Sequence, residues 1–269
     1  VNLYMRWKLS LWHILIAGLL ALFLGGNNST LRIPAQAEFS LASPAMHSPQ
    51  QITASQGNVY YVAPGGDDAN PGTIDLPWRT IQHAADTLLA GDTVYIRAGT
   101  YNERVTAQNS GTPGSYITYA AFPGEAVTVD GTGISVPEYS GLFDVSYQDH
   151  IIVQGLRVIN STYVGILADT SSDVLIRSDY IVNTFSSGIA IWNSDHVTVE
   201  GNEVVLANND GLGENITVYR SSDFEVRYNL VHDGGPGTNG GEGICLKDGS
   251  YNGLVHHNHV HNLNRLGIY

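Results

Sequence analysis

Apolar and polar residues alternate with a period of two along most of the chain from Asn58 onward, beginning with NVYYVAP. Alternation of this kind places successive side chains on opposite faces of a strand. One stretch departs from it. Between Thr80 and Leu89, residues Ile81, Ala84, Ala85 and Leu88 fall on one helical stripe, and Gly91 sits where a helix stops. After it, DTVYIRAGTY and YITYAAF return to alternation.

From residue 141 the pattern repeats. GLFDVS, GILADT, GIAIWN, NITVYR, GICLKD and GIY start at 141, 165, 188, 215, 243 and 267, in steps of 24, 23, 27, 28 and 24 residues. Each complete unit carries a second apolar column, Val153, Ile176, Val199, Val226 and Val255, followed three residues later by Leu156, Asp179, Asn202, Asn229 and Asn258. This period describes stacked coils, each burying its inward residues against neighbours about 4.8 Å above and below. The predicted fold is all-β, a right-handed parallel β-helix whose Asn column forms a hydrogen-bonded ladder inside a turn. A doubly wound α/β sheet would need a helix between successive strands, and a single helical pattern is present. That helix is expected to cap the N-terminal end of the solenoid, whose open edge needs cover. The final GIY opens a coil with no covering element after it, so the chain reads as a fragment of a longer protein.

The first residues follow a different logic. Arg6 and Lys8 precede a nearly continuous apolar run from Leu9 to Leu24, and Ala35-Gln36-Ala37 then gives a small-x-small cleavage pattern. About sixteen apolar residues is short for a membrane span, so residues 1–37 read as a cleaved export signal rather than an anchor. The expected organisation is a signal peptide (1–37), a flexible polar linker (38–57), a cap with the first coils (58–140) and the remaining coils (141–269). The mature protein is expected outside the cell or in a periplasm, as a monomer without membrane contact.

Charge narrows the partners. Residues 1–37 hold Arg6, Lys8 and Arg32 and no acid, so their removal takes the formal net charge from −13 to −16. Such a surface repels nucleic acid and anionic membranes, and admits an acidic polymer only where a cation or a basic patch reverses the field. Cys245 is the one cysteine, so no disulfide within the chain supports the fold.

Register picks out the candidate chemistry. Leu142, Ile166, Ile189, Ile216, Ile244 and Ile268 are expected to form one inward column, and Asp144, Ala168, Ile191, Val218 and Leu246 a second. The outward column then reads Val145, Asp169, Trp192, Tyr219 and Lys247. Trp192 and Tyr219, with Arg220 beside them, are candidate substrate-binding residues, because sugar rings stack on exposed aromatic platforms. The alternative is that NNDGLGEN or HDGGPGTNGGE folds over and buries them; these loops lengthen the third and fourth repeat steps. The loops also carry acids: Asp210, Glu214, Asp233 and Glu242, with Asp248 following Lys247. Glu214 and Glu242 share an offset on adjacent coils, where two carboxylates repel unless they share a proton or a cation. Calcium held by Asp210, Glu214, Glu242 and Asp248 would resolve this; solvated loop acids are the other reading. His232 and His261 share an offset and are expected to stack rather than bind metal. Cys245 faces outward beside Lys247 and is assigned no chemistry.

The entry segment YYVAPGGDDANPGTIDLPWRTIQHAADTLLAGDTVYIRAGTYNE, with the coils after it, resembles secreted β-helix proteins that include family 9 polysaccharide lyases. GEGICLKDGS is similar to the lysine stretch of that family, and NNDGLGEN to its Asp-rich loop. The resemblance implies a calcium-dependent lyase that cleaves a uronate polymer by β-elimination, with Lys247 as base and Asp210 and Glu214 at the calcium. Two departures accompany it: the lysine lies two residues later than the family pattern, and a full set of four aspartates is not evident. Two other functions share the scaffold: a glycoside hydrolase using paired carboxylates, and a non-catalytic glycan-binding surface protein.

Overall fold

The computed structural model describes residues 57–235 and 240–269. The predicted signal peptide and nearly all of the predicted linker lie outside the described residues. The strands among the described residues fall into three parallel sheets of eight, six and seven strands, each visited once per coil. In the eight-stranded sheet Ile176 pairs with Val153 and Val199, and Val226 with Val199 and Val255. The second apolar column is thus continuous. The core lies between the sheets and holds Ile166, Ile189, Ile216 and Ile244, all fully buried, with Ile176, Val199 and Val226 from the facing sheet. This is the predicted parallel β-helix.

The turn ladder forms as expected. Asn229 Oδ1 accepts from the Asn202 backbone N–H at 3.0 Å, and Asn258 Oδ1 from that of Asn229 at 2.9 Å. Each amide nitrogen donates to a backbone carbonyl of the preceding coil: Asn202 to Ile176, Asn229 to Val199 and Asn258 to Val226. Asp179 takes the same place one coil earlier, its Oδ1 accepting from Leu156 N at 2.8 Å. A serine ladder in another turn escaped the sequence reading: Ser194, Ser221 and Ser250 hydroxyls accept in turn from the N–H groups of Ser171, Ser194 and Ser221.

The helix is shorter than its stripe, running Ile81–Thr87 and packing beside strands Val59–Val62 and Val105–Thr106. Ile81, Ala84 and Ala85 are buried, as the stripe predicts. Thr80 caps its start: the hydroxyl oxygen accepts from His83 N at 3.1 Å while donating to Asp68 at 2.9 Å. Thr80→Ala should cost about 1 kcal/mol, read as a lower denaturant midpoint. An unchanged midpoint would show that packing alone holds the helix.

One register differs from the expectation. Phe143, not Leu142, pairs with Ile166, and Asp144 pairs with Leu167. Asp144 therefore leaves the inward column, and Val145, expected outward, is fully buried in the core. The reason is electrostatic. An inward Asp144 would be an unpaired carboxylate in an apolar core, whereas the one-residue slip brings it to Arg104 at 2.9 Å and lets it accept from Gly141 N at 3.0 Å.

Candidate active site

The six-stranded sheet carries the candidate site. Strands Val164–Asp169, Ile189–Trp192, Ile216–Tyr219 and Ile244–Lys247 end in register, so Asp169, Trp192, Tyr219 and Lys247 stand in one outward column. They line a groove of about 420 Å³ together with Glu214 and Tyr139. The column matches the expected one once Val145 is removed.

The loops cover half of this face. Two residues earlier in each strand, Ala190, Thr217 and Cys245 also point away from the core, yet all three are buried. Thr217 Oγ1 donates to Glu214 Oε2 at 2.8 Å, and Ser187 Oγ lies 2.7 Å from the same hydroxyl. Ser187 and Glu214, just ahead of their strands, therefore roof the first half of the face and leave its far end open. Cys245 is accordingly not on an exposed surface; burial first, then the neighbouring Glu214 charge, pushes its thiol up to about 11. Trp192 is half-buried, packed against the small cluster of Val164, Leu167 and Ala190. Tyr139, 66% exposed, stands edge-on to it at 6.4 Å. Arg220, the residue after Tyr219, is exposed, its guanidinium 5.0 Å from the centre of the Tyr219 ring.

The two glutamates are settled by ion pairs. Lys247 Nζ lies 2.7 Å from Glu214 Oε1, and Arg265 Nε 3.3 Å from Glu242 Oε1. Both carboxylates are under 9% exposed, and each carries its own cation. The remaining acids go elsewhere. Asp210 turns back on its own loop, accepting from Leu212 N at 2.8 Å and Gly213 N at 3.2 Å. Asp233 hydrogen-bonds His232 at 2.7 Å, and Asp248 is exposed at the groove edge. Asp210, Glu214, Glu242 and Asp248 thus form no calcium cage as they stand. Among the described residues no group of three or more His, Cys, Asp or Glu side chains is placed to hold a metal ion.

His232 and His261 stack as expected, with ring centres 4.9 Å apart and planes 3° from parallel. Sequence reasoning missed three members of the site, Tyr139, Ser187 and Thr217, and the Arg265 partner of Glu242. Tyr139 lies before the regular repeats, where no column could flag it. Thr217 could have been found from its outward position between Tyr219 and Glu214.

A family model described as "Pel9A-like, right handed beta helix region" matches residues 60–234. The chain is 34% identical over 134 residues to YwoF, an uncharacterized protein of Bacillus subtilis, the alignment covering 46% of this chain and 29% of that protein. It is 44% identical over 73 residues to pectate lyase PEL9 of Emericella nidulans, covering 26% of this chain and 18% of the lyase. The chain thus spans less than a third of the length of either curated relative. Among solved structures, pectate lyase Pel9A superposes with a TM-score of 0.61 at 19% identity, covering 81% of this chain and 58% of that one.

Proposed function

Because its β-helix belongs to the Pel9A-like right-handed β-helix family, we propose that this chain comes from an exported polysaccharide lyase that cleaves a uronate-containing polymer by β-elimination, with Lys247 as the base. The observation that carries this reading is the Trp192, Tyr219, Lys247 column, which puts an amine at one end of an aromatic-floored groove. In the reaction the amine takes the proton on the carbon next to the uronate carboxylate. Those electrons form the ring double bond as the adjacent C–O bond breaks, and the departing oxygen takes up a proton. Arg220, its guanidinium over the Tyr219 ring, would meet the uronate carboxylate. The amine must be in its neutral form to accept that proton. Among the described residues no helix is long and apolar enough to cross a membrane.

Calcium bound in such a site would stabilise the charge developing beside the uronate carboxylate. The side chains as arranged do not fit it, since Glu214 and Glu242 already hold cations, and no step is routed through it. The paired-carboxylate hydrolase has one observation behind it, two buried glutamates on adjacent coils. Those glutamates are each engaged in an ion pair, and Glu242 does not line the groove.

The test incubates the full-length protein with uronate polymers, with and without a chelator, and follows the near-ultraviolet absorbance of unsaturated ends. No absorbance on any uronate polymer sinks the reading. New reducing ends without double bonds would replace it with hydrolysis, and glycan binding without turnover with an adhesive role. Activity that survives chelation fits the ion-paired glutamates; activity lost on chelation would show that the reaction needs a bound cation.

A further inference from the structure

A second concavity, of about 470 Å³, opens on the other side of the segment that leads into strand Ile189–Trp192. Asn183 and Phe185 line it, while Ser186 and Ser187, the next residues in the chain, line the groove that holds Lys247. Its lining runs from Thr132 through Asn160, Thr162, Asn183 and Phe185 to Asn209, across four successive coils, roughly 14 Å at the strand spacing. The remaining lining residues are glycine and serine, so no charged side chain belongs to it. Amides form a fixed line along its wall: Asn160 Nδ2 donates to Asp130 Oδ1 at 2.9 Å, Asn183 Nδ2 to Asn160 Oδ1 at 2.7 Å, and Asn209 Nδ2 to Asn183 Oδ1 at 3.1 Å. Left-handed turns account for the asparagines at 160 and 183, whose φ angles are 60° and 59°. They do not account for the phenyl ring beside them. Phe185 is 50% exposed, and its backbone is pinned on both sides, the N–H donating to Ser161 O at 2.9 Å and the carbonyl accepting from Asp210 N at 2.7 Å.

A lone exposed apolar residue is ordinary. One held on a fixed backbone inside a concavity, edged by amides and hydroxyls, suits a ligand that is apolar on one face and hydroxylated around its rim. A sugar ring has that chemistry: its C–H face stacks on the phenyl while its hydroxyls bond the amides. Among the described residues, one hydrogen of the Asn183 amide and the Asn209 Oδ1 make no hydrogen bond within the protein, which leaves a donor and an acceptor on adjacent coils. We propose that this concavity is a second glycan-binding site, taking a neutral sugar chain and separate from the Lys247 groove. Charge decides the class. A uronate would find no cation in the lining, and would meet the Asp130 carboxylate at the head of the amide line in a protein of formal net charge −13. The site uses neither Lys247 nor Trp192, so it stands apart from whatever reaction the other groove performs.

Isothermal titration of the full-length protein tests it, with xylotetraose, cellotetraose and galactotetraose as neutral probes and tetragalacturonate as the charged comparison. At least one neutral probe should bind, with an affinity that salt does not move, because no charge takes part. Phe185→Ala removes an exposed ring and should weaken that binding about tenfold or more. Asn183→Gly, which keeps the left-handed turn and removes the amide, should weaken it too. Trp192→Ala, in the other groove, should leave it unchanged. Failure of all three neutral probes to bind overturns the inference, as does binding that Trp192→Ala abolishes and Phe185→Ala leaves untouched. Tighter binding of tetragalacturonate that depends on Phe185 overturns it as well. The two readings fail separately. Phe185-dependent binding of a neutral probe by a protein that forms no unsaturated ends keeps this site and sinks the lyase; unsaturated ends without neutral binding do the reverse.

Discussion

Lys247→Ala should lower the rate of unsaturated-product formation by about 10²- to 10⁴-fold, the range over which a positioned general base contributes. The variant has a second effect that must be separated from the first. Lys247 Nζ is the cation 2.7 Å from Glu214, a carboxylate only 7% exposed, while the lysine side chain itself is 36% exposed. Removing it leaves Glu214, among the described residues, with the Thr217 hydroxyl as its remaining hydrogen-bond partner, at a cost of about 1–2 kcal/mol after allowing for the solvent that reaches the pair. A loss of activity in Lys247→Ala could then reflect a collapsed loop. The pair Lys247→Ala with Glu214→Gln removes both charges together and should recover most of the lost stability. Its activity should remain at the level of Lys247→Ala. Lys247→Arg gives the complementary control, keeping a cation near Glu214 while replacing the amine with a guanidinium that does not deprotonate. If the double variant regains activity, or if Lys247→Arg turns over at the wild-type rate, Lys247 is not the base.

The parts of this protein visible in its sequence are those that repeat. Five copies of an apolar column and three of an Asn column were enough to place the coils, because each coil solves the same packing problem with similar residue types. The Trp192, Tyr219, Lys247 column followed from that register, since a strand offers two faces only. The reading failed where the repeat is imperfect. At residue 141 the glycine alignment paired Leu142 with Ile166, but two large apolar residues in a row, Leu142 and Phe143, are both buried in the core, and the pairing goes to Phe143. The decision fell to Asp144 and its distant partner Arg104. The glutamates show the same limit. Their shared offset was legible, and so was the need for countercharge, but the nearest offered solution was an ion. The cations are instead Lys247 and Arg265, brought in from the next coils. Arg265 lies between the Asn258 turn and the last repeat start at Gly267, a stretch that carries no repeating column.

Asp179→Asn should stabilise the protein, by an amount that grows with pH. Asp179 occupies the ladder position held by asparagine in the next three coils. At those coils the amide nitrogen donates to Ile176, Val199 and Val226 carbonyls. By the same spacing the carbonyl for residue 179 would be that of Val153, but a carboxylate has no hydrogen to offer it, and among the described residues the second, buried carboxyl oxygen of Asp179 has no hydrogen-bond partner. A buried carboxyl oxygen that no donor meets is tolerable only if it carries a proton. Burial accordingly pushes the Asp179 carboxyl up to about 8, against the lowering effect of its backbone hydrogen bonds and of Arg177. The sign follows from proton binding. Between the ordinary aspartate range near 4 and about 8, the folded state holds a proton that the unfolded state has released, so this group's contribution to stability falls as pH rises, by up to about 1.4 kcal/mol per pH unit. Asparagine carries the amide hydrogens at every pH, keeps the acceptor for Leu156 N and completes the ladder. Thermal unfolding of wild type and Asp179→Asn at pH 4, 6 and 8 should therefore give nearly equal midpoints at pH 4 and a gap that widens to several degrees or more by pH 8. Taking the difference between the two proteins cancels the titration of the other carboxylates. A gap that stays constant with pH would mean that Asp179 is ionised in the fold, with water or a backbone shift answering its second oxygen; a less stable variant would mean that the carboxylate makes a contact no amide can replace.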